Sequence, residues 1–239
     1  MKKIIGILSV FVGIFLISAT AKADSPLTST QFSEAYQDID LVAKAGESGI
    51  INSDIADYLA DEANPIDVKA AMINALSWSI DGKDNANTYC QLIYGKSLEE
   101  MDLSSLSGDQ QFCVGYLLAL DDYFNTDQAL ELLTMSQQKM KESFTVAIIQ
   151  ALVESMDLLP GEWEEHIEPL LSDSGLTMDM RPEAENIILD YMISYSTGQG
   201  SEQSNDIPQT GVLSFGSLFG LAAFVSAVGG IFLKHKKCD

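Results

Sequence analysis

Two runs without a charged residue, 4–20 and 212–233, bracket everything in this 239-residue chain that can fold in water. The second is 22 residues long, and at a rise of about 1.5 Å per residue it matches the roughly 30 Å hydrocarbon thickness of a bilayer. Only a helix satisfies its own backbone groups in lipid, so 212–233 is expected to be one C-terminal transmembrane helix despite Gly216, Gly220, Gly229 and Gly230. Lys234, Lys236 and Lys237 follow directly. By the positive-inside bias they put the tail 234–239 in the cytoplasm and the bulk of the chain outside. The first run follows Lys2 and Lys3 and ends at Ala21-Lys22-Ala23, a small-x-small site before Asp24. Residues 1–23 therefore have the form of a signal peptide cleaved after Ala23, with an uncleaved N-terminal anchor as the alternative.

Just before the second run stand Ile207, Pro208, Gln209, Thr210 and Gly211. Pro208 restricts the backbone there, and Gly211 lets the peptide bond after Thr210 be approached closely. A signal peptide, a proline-x-threonine-glycine motif, an apolar span and a basic stop, in this order, resemble the sortase-anchored surface proteins of Gram-positive bacteria. Their motif usually begins with leucine, where this chain has Ile207. The resemblance implies that a sortase cuts between Thr210 and Gly211 and joins the Thr210 carbonyl to a cell-wall amine, leaving the domain on the cell surface. It rests on the two ends alone, and a plain single-pass membrane protein with the domain outside is the alternative. Between domain and motif, 196–206 (STGQGSEQSND) is a polar, glycine- and serine-rich stretch expected to be a flexible linker of about 20 Å reach.

What remains, 24–195, is enough for one domain. Of the 35 acidic residues in the chain, all but Asp239 lie between 24 and 210, against Lys44, Lys69, Lys83, Lys96, Lys139, Lys141 and Arg181. Such a surface repels nucleic acid and anionic lipid, which excludes nucleic-acid binding, and attracts cations or basic partners. Solubility alone also accounts for the acidity.

The periodicity of the domain is helical throughout, and the fold class expected is all-α. In 65–80, Asp67, Asn74, Ser77 and Asp81 fall on one face while Val68, Met72, Ala75, Leu76 and Ile80 fall elsewhere. The same arrangement puts Ser143, Gln150, Glu154 and Asp157 outward in 143–156, and Glu183, Asn186, Asp190 and Ser194 outward in 183–195. The segment 111–124 differs, because 112–120 is apolar on every side and so belongs at the buried centre. Shorter helices are expected over 30–45, 54–63, 85–94, 126–138 and 161–171. Asn64 before Pro65 has the form of an N-cap, Gly82 that of a stop, and Ser97 with Glu100 that of a capping box.

The windows 70–80, 114–124, 146–156 and 186–196 share one apolar pattern at spacings of 44, 32 and 40 residues. A shorter helix carrying Leu59, Ile93, Leu133 or Leu171 precedes each. This is similar to HEAT-type or armadillo-type arrays of α-hairpins, whose periods are about 40. An irregular helical bundle satisfies the same pattern.

Chemistry-bearing residues are few. Cys238 lies in the tail, leaving Cys90 and Cys113. An oxidising exterior and an even count favour a disulfide between them, contributing about 3 kcal/mol through loop closure, with two buried free thiols as the alternative. His166 is the only histidine between 24 and 210, and no second histidine or thiol stands at ligand spacing, so no metal site and no cofactor are expected. The adjacent carboxylates Asp121-Asp122 and Glu164-Glu165 diverge on a helix, and Asp81-Gly82-Lys83-Asp84 is a helix stop and the next cap rather than a calcium loop. Trp78 and Trp163 are expected to be packing residues. No catalytic constellation is present. Three roles stay open: a wall-anchored surface protein that binds a protein or peptide, a type I membrane protein of structural or envelope role, and a carboxylate-dependent surface hydrolase, disfavoured by the missing constellation.

Overall fold

The computed structural model describes residues 25–196. The signal-cleavage residues Ala21, Ala23 and Asp24, the sorting motif Ile207, Pro208, Gln209, Thr210 and Gly211, the span 212–233 and nearly all of the linker lie outside the described residues. Among the described residues the chain is all-α. The helices are α1 (Pro26–Ser29), α2 (Asp40–Ser48), α3 (Ser53–Ala60), α4 (Ile66–Leu76), α5 (Asn85–Tyr94), α6 (Gly108–Asp121), α7 (Asp127–Lys139), α8 (Phe144–Glu154), α9 (Trp163–Ser172) and α10 (Pro182–Ser196). Short 3-10 turns sit between them, and one isolated β-bridge joins Ser143 to Thr177. No described helix is long and apolar enough to cross a membrane.

Local signals set several boundaries. Asn52 caps α3 through the Ile55 amide, and Ser107 with Gln110 forms a capping box on α6. Gly49 and Gly95 end α2 and α5 in the left-handed conformation, at φ 62° and 65°. The box expected at Ser97 and Glu100 is formed.

Four local expectations are corrected. The helix expected over 30–45 is broken into a 3-10 turn, Phe32–Tyr36, and α2. The Asn74 side chain takes the Thr30 carbonyl (2.9 Å) and the Ser33 amide (3.0 Å), so those groups are committed elsewhere. Asn74 itself is buried, not outward. The helix expected over 65–80 stops at Leu76, because Ser77 turns to φ 59°, ψ −178°, a region essentially reserved for glycine. Asn64 does not cap it; its amide donates to the Tyr58 carbonyl at 2.9 Å.

The core runs through α4, α6 and α8, which contact one another, and 112–120 is buried as expected except for half-buried Leu118. The most extensive helix pairing among the described residues is α6 with α7. A Cβ on Gly115 would stand 3.1 Å from the Leu132 and Leu133 side chains, so this glycine permits the approach. One turn further along α7, the Ser136 hydroxyl donates to the Gly108 carbonyl at 2.7 Å.

The two ends of the described chain meet. α1 contacts α8 and α10, and Phe32–Tyr36 contacts α4 and α10. The Tyr36 hydroxyl donates to Asp67 Oδ2 at 2.8 Å and accepts from the Arg181 amide at 3.0 Å. The Arg181 guanidinium donates to the Ala35 carbonyl (2.9 Å) and to both Asp38 oxygens (2.6 and 3.2 Å), and lies 4.4 Å over the Tyr36 ring.

Candidate functional site

α6 is apolar for most of its length and ends on a carboxylate, Asp121. The chain then continues through exposed Asp122 and buried Tyr123 to Phe124, which is 53 % exposed. Facing it are the loop that follows strained Ser77 and the first turn of α5. The Asp121 carbonyl accepts from the Lys83 amide at 2.9 Å, and its Oδ2 accepts from the Ala86 amide at 2.7 Å. A carboxylate thus sits at the positive end of α5, which favours its charge.

Oδ1 has no such partner. It is buried without a hydrogen bond, and the residue is only 6 % exposed. Burial pushes the carboxyl up to about 6, the Asp84 charge adds to this, and the amides at Ala86 and Asn85 and the Lys83 ammonium pull the other way without prevailing. Lys83 does not neutralise it. Its ammonium donates to the Gly49 (2.9 Å) and Leu76 (2.5 Å) carbonyls, closing the ends of α2 and α4, and burial lowers its pKa.

Two hollows meet at this carboxylate. One, of about 310 Å³, is bordered by Ile80, Asp81, Asp122 and Phe124; the other, of about 200 Å³, by Asp84, Asn87, Leu118 and Gln128. Both share Lys83, Asp121 and Asp122. Ile80, placed in the apolar stripe by sequence, is 67 % exposed here because the helix has already ended. Behind the first hollow, Tyr123 packs on Phe124 (4.2 Å between centroids) and meets Trp78 edge-on (4.8 Å). Trp78 also donates to the Thr28 carbonyl at 3.1 Å, a packing role as expected.

The chain matches no family model, no curated protein and no solved structure at a significant level.

The other residues singled out by sequence stay apart from this seam. Cys90 and Cys113 are buried free thiols, so the pairing expected from the even count is not made in this structure. Cys113 points its sulfur at the Leu59 carbonyl, 3.6 Å away. Burial pushes the Cys90 thiol up to about 11 and raises Cys113 as well. His166 Nε2 lies 3.0 Å from Glu154 Oε2. Asp121 and Asp122 point apart, one buried and one exposed, and Glu164 and Glu165 are both exposed. Trp163 stacks on Tyr191 at 6.0 Å. Among the described residues, no group of three or more His, Cys, Asp or Glu side chains could hold a metal ion. Sequence did not single out Lys69, which is fully buried and paired with Asp109 at 2.5 Å.

Asp121 should tune stability with pH. Its folded pKa, about 6, lies above the ordinary 3.8, so the protonated form stabilises the fold below pH 4, and that stabilisation is lost as pH rises through 6. The difference corresponds to about 3 kcal/mol at neutral pH. Asp121→Asn keeps an acceptor for Ala86 and is expected to raise stability by about 1–2 kcal/mol at pH 7.5, with a smaller gain at pH 4. Thermal unfolding at the two pH values checks this. An equal change in Tm at both would remove Asp121 as the titrating group.

Proposed function

We propose that this chain is an exported surface protein, anchored by a sortase through Thr210, whose acidic helical domain binds a protein or peptide and carries out no catalysis. The observation that carries the address is the order of the C-terminal features, with Pro208, Thr210 and Gly211 directly before an apolar span and a lysine-rich stop. The small-x-small site at Ala21 and Ala23 supports export. Against catalysis stand two buried thiols with raised pKa values and a single histidine in the domain, His166, with no thiol or hydroxyl nucleophile beside it in sequence.

We read the helices as a closed bundle rather than an open array of hairpins. The contacts of Tyr36 and Asp38 with Arg181, which join the first and last segments, support this. A closed bundle has no long concave face, so recognition falls to a local surface, and the seam around Asp121 sets the exposed Ile80 and Phe124 side chains beside carboxylates.

The test is fractionation of the native host carrying wild type or Thr210→Ala. Wild type should stay with the wall after detergent extraction and be freed by wall-degrading enzyme, whereas the variant should be extracted by detergent. Equal detergent release of both would leave a plain single-pass membrane protein.

A further inference from the structure

We infer that the seam between the loop 78–84 and the end of α6 is a docking site for a basic peptide segment, with an arginine or lysine side chain directed to Asp121 and a neighbouring apolar side chain against Ile80 and Phe124. The assignment rests on the reading of the domain as a binding module and names the chemistry of its partner.

The first argument is a missing donor. Asp121 Oδ1 is a buried carboxylate oxygen without a hydrogen bond, in a residue that borders both hollows. A buried acceptor without a well-formed hydrogen bond is costly, of order 1–3 kcal/mol, and the neighbouring Asn85 amide offsets the burial of this carboxylate only in part. A donor entering through either hollow would supply the missing bond.

The second is charge. Asp81, Asp84 and Asp122 are exposed around the seam, and Lys83, the cation among its lining residues, turns its ammonium to the Gly49 and Leu76 carbonyls. The field at the mouth is therefore negative, and it attracts a cation that carries its own donors. Arginine fits best, because its planar fork can meet a carboxylate with two hydrogen bonds.

The third is the apolar flank. Ile80 and Phe124 are 67 % and 53 % exposed on the rim of the same hollow. A free metal ion or a small inorganic cation gains nothing from covering them, and no metal-holding group of side chains occurs among the described residues. A peptide carrying a cationic and an apolar side chain covers both. The larger hollow, about 310 Å³, is at the lower limit of small-molecule sites and suits one or two side chains.

The experiment is isothermal titration of the full chain, held in detergent micelles, with the capped hexapeptide Gly-Arg-Leu-Gly-Arg-Leu. Heats into protein-free micelles are subtracted. Two control peptides replace arginine by glutamate or leucine by glycine. The basic, apolar peptide should bind, and the glutamate peptide should not. The leucine-free peptide should bind at least tenfold more weakly, and raising salt should weaken binding. Phe124→Ser and Asp122→Lys alter exposed side chains, keep the fold, and should each weaken binding at least tenfold; Asp121→Asn, checked for fold by circular dichroism, should do the same. Unchanged binding to Phe124→Ser and Asp122→Lys overturns the seam while leaving the domain a peptide binder, as does equal binding of the glutamate peptide. If none of the three peptides binds, the seam assignment falls, while the reading of the domain as a binder of a folded protein is left standing.

Discussion

Lys69→Met is expected to destabilise the fold by about 3–5 kcal/mol at neutral pH, and by much less near pH 4. Lys69 lies on α4 with no exposed side-chain surface, and its ammonium meets Asp109 Oδ1 of α6, whose side chain is 12 % exposed. Methionine fills the space of the lysine stem but leaves Asp109 as a nearly buried, uncompensated charge. Burial already raises the Asp109 pKa above the ordinary carboxylate value, with the Lys69 hydrogen bond and charge opposing it. Without Lys69 that value climbs further. The penalty is full above the new folded pKa and fades as pH falls and the carboxyl takes up a proton in both states. Urea unfolding at pH 7 and pH 4 measures it, and Lys69→Met with Asp109→Leu should recover most of the loss. An identical loss at both pH values would mean that the lysine acts by packing alone.

Asn74→Ala should cost about 3 kcal/mol, through hydrogen bonds rather than charge. The buried Asn74 amide accepts from the Ser33 amide (3.0 Å) and donates to the Thr30 carbonyl (2.9 Å) and the Tyr116 hydroxyl (3.2 Å). Truncation leaves these groups facing a small void with no replacement partner. The loss should be local before it is global. Hydrogen exchange at the Ser33 amide should accelerate more than at amides in the middle of α6, in addition to the fall in Tm. Unaltered exchange at Ser33 would show that Phe32–Tyr36 is held by its buried side chains, not by this clamp.

Both residues show where periodicity stops being informative. Helical spacing located the central helix, the bounds of α5, and the exposed Glu183, Asn186 and Asp190, because burial of one face is a local demand. The same rule assigned Asn74 outward and passed over Lys69, since polarity usually marks the solvent side. Their partners, Ser33, Tyr116 and Asp109, are about forty residues away, and one-dimensional spacing carries no such information. The cue for Lys69 was its place among Val68, Ala70, Ala71 and Met72, a lysine where the surrounding turn is apolar. For Asp121 the cue was similar, a carboxylate directly ending the one segment that is apolar all round, but abundance of acidic pairs hid it. Ser77 gave no cue at all, because a serine does not by itself prefer a positive φ.

The junction of Tyr36 and Asp38 with Arg181 also governs the order of events in folding. These groups are separated by 143–145 residues, so the contact that seats the first segment belongs to the slowest class of loop closure. On a ribosome, Phe32–Tyr36 emerges early and its partners on α10 emerge last. Phe32 and Tyr36, both fully buried in the finished fold, meet α4 early in synthesis, but their burial is completed only when α10 has been made. Completion of the core is coupled to completion of the helical domain, and a fragment ending before Arg181 lacks the contacts that close it.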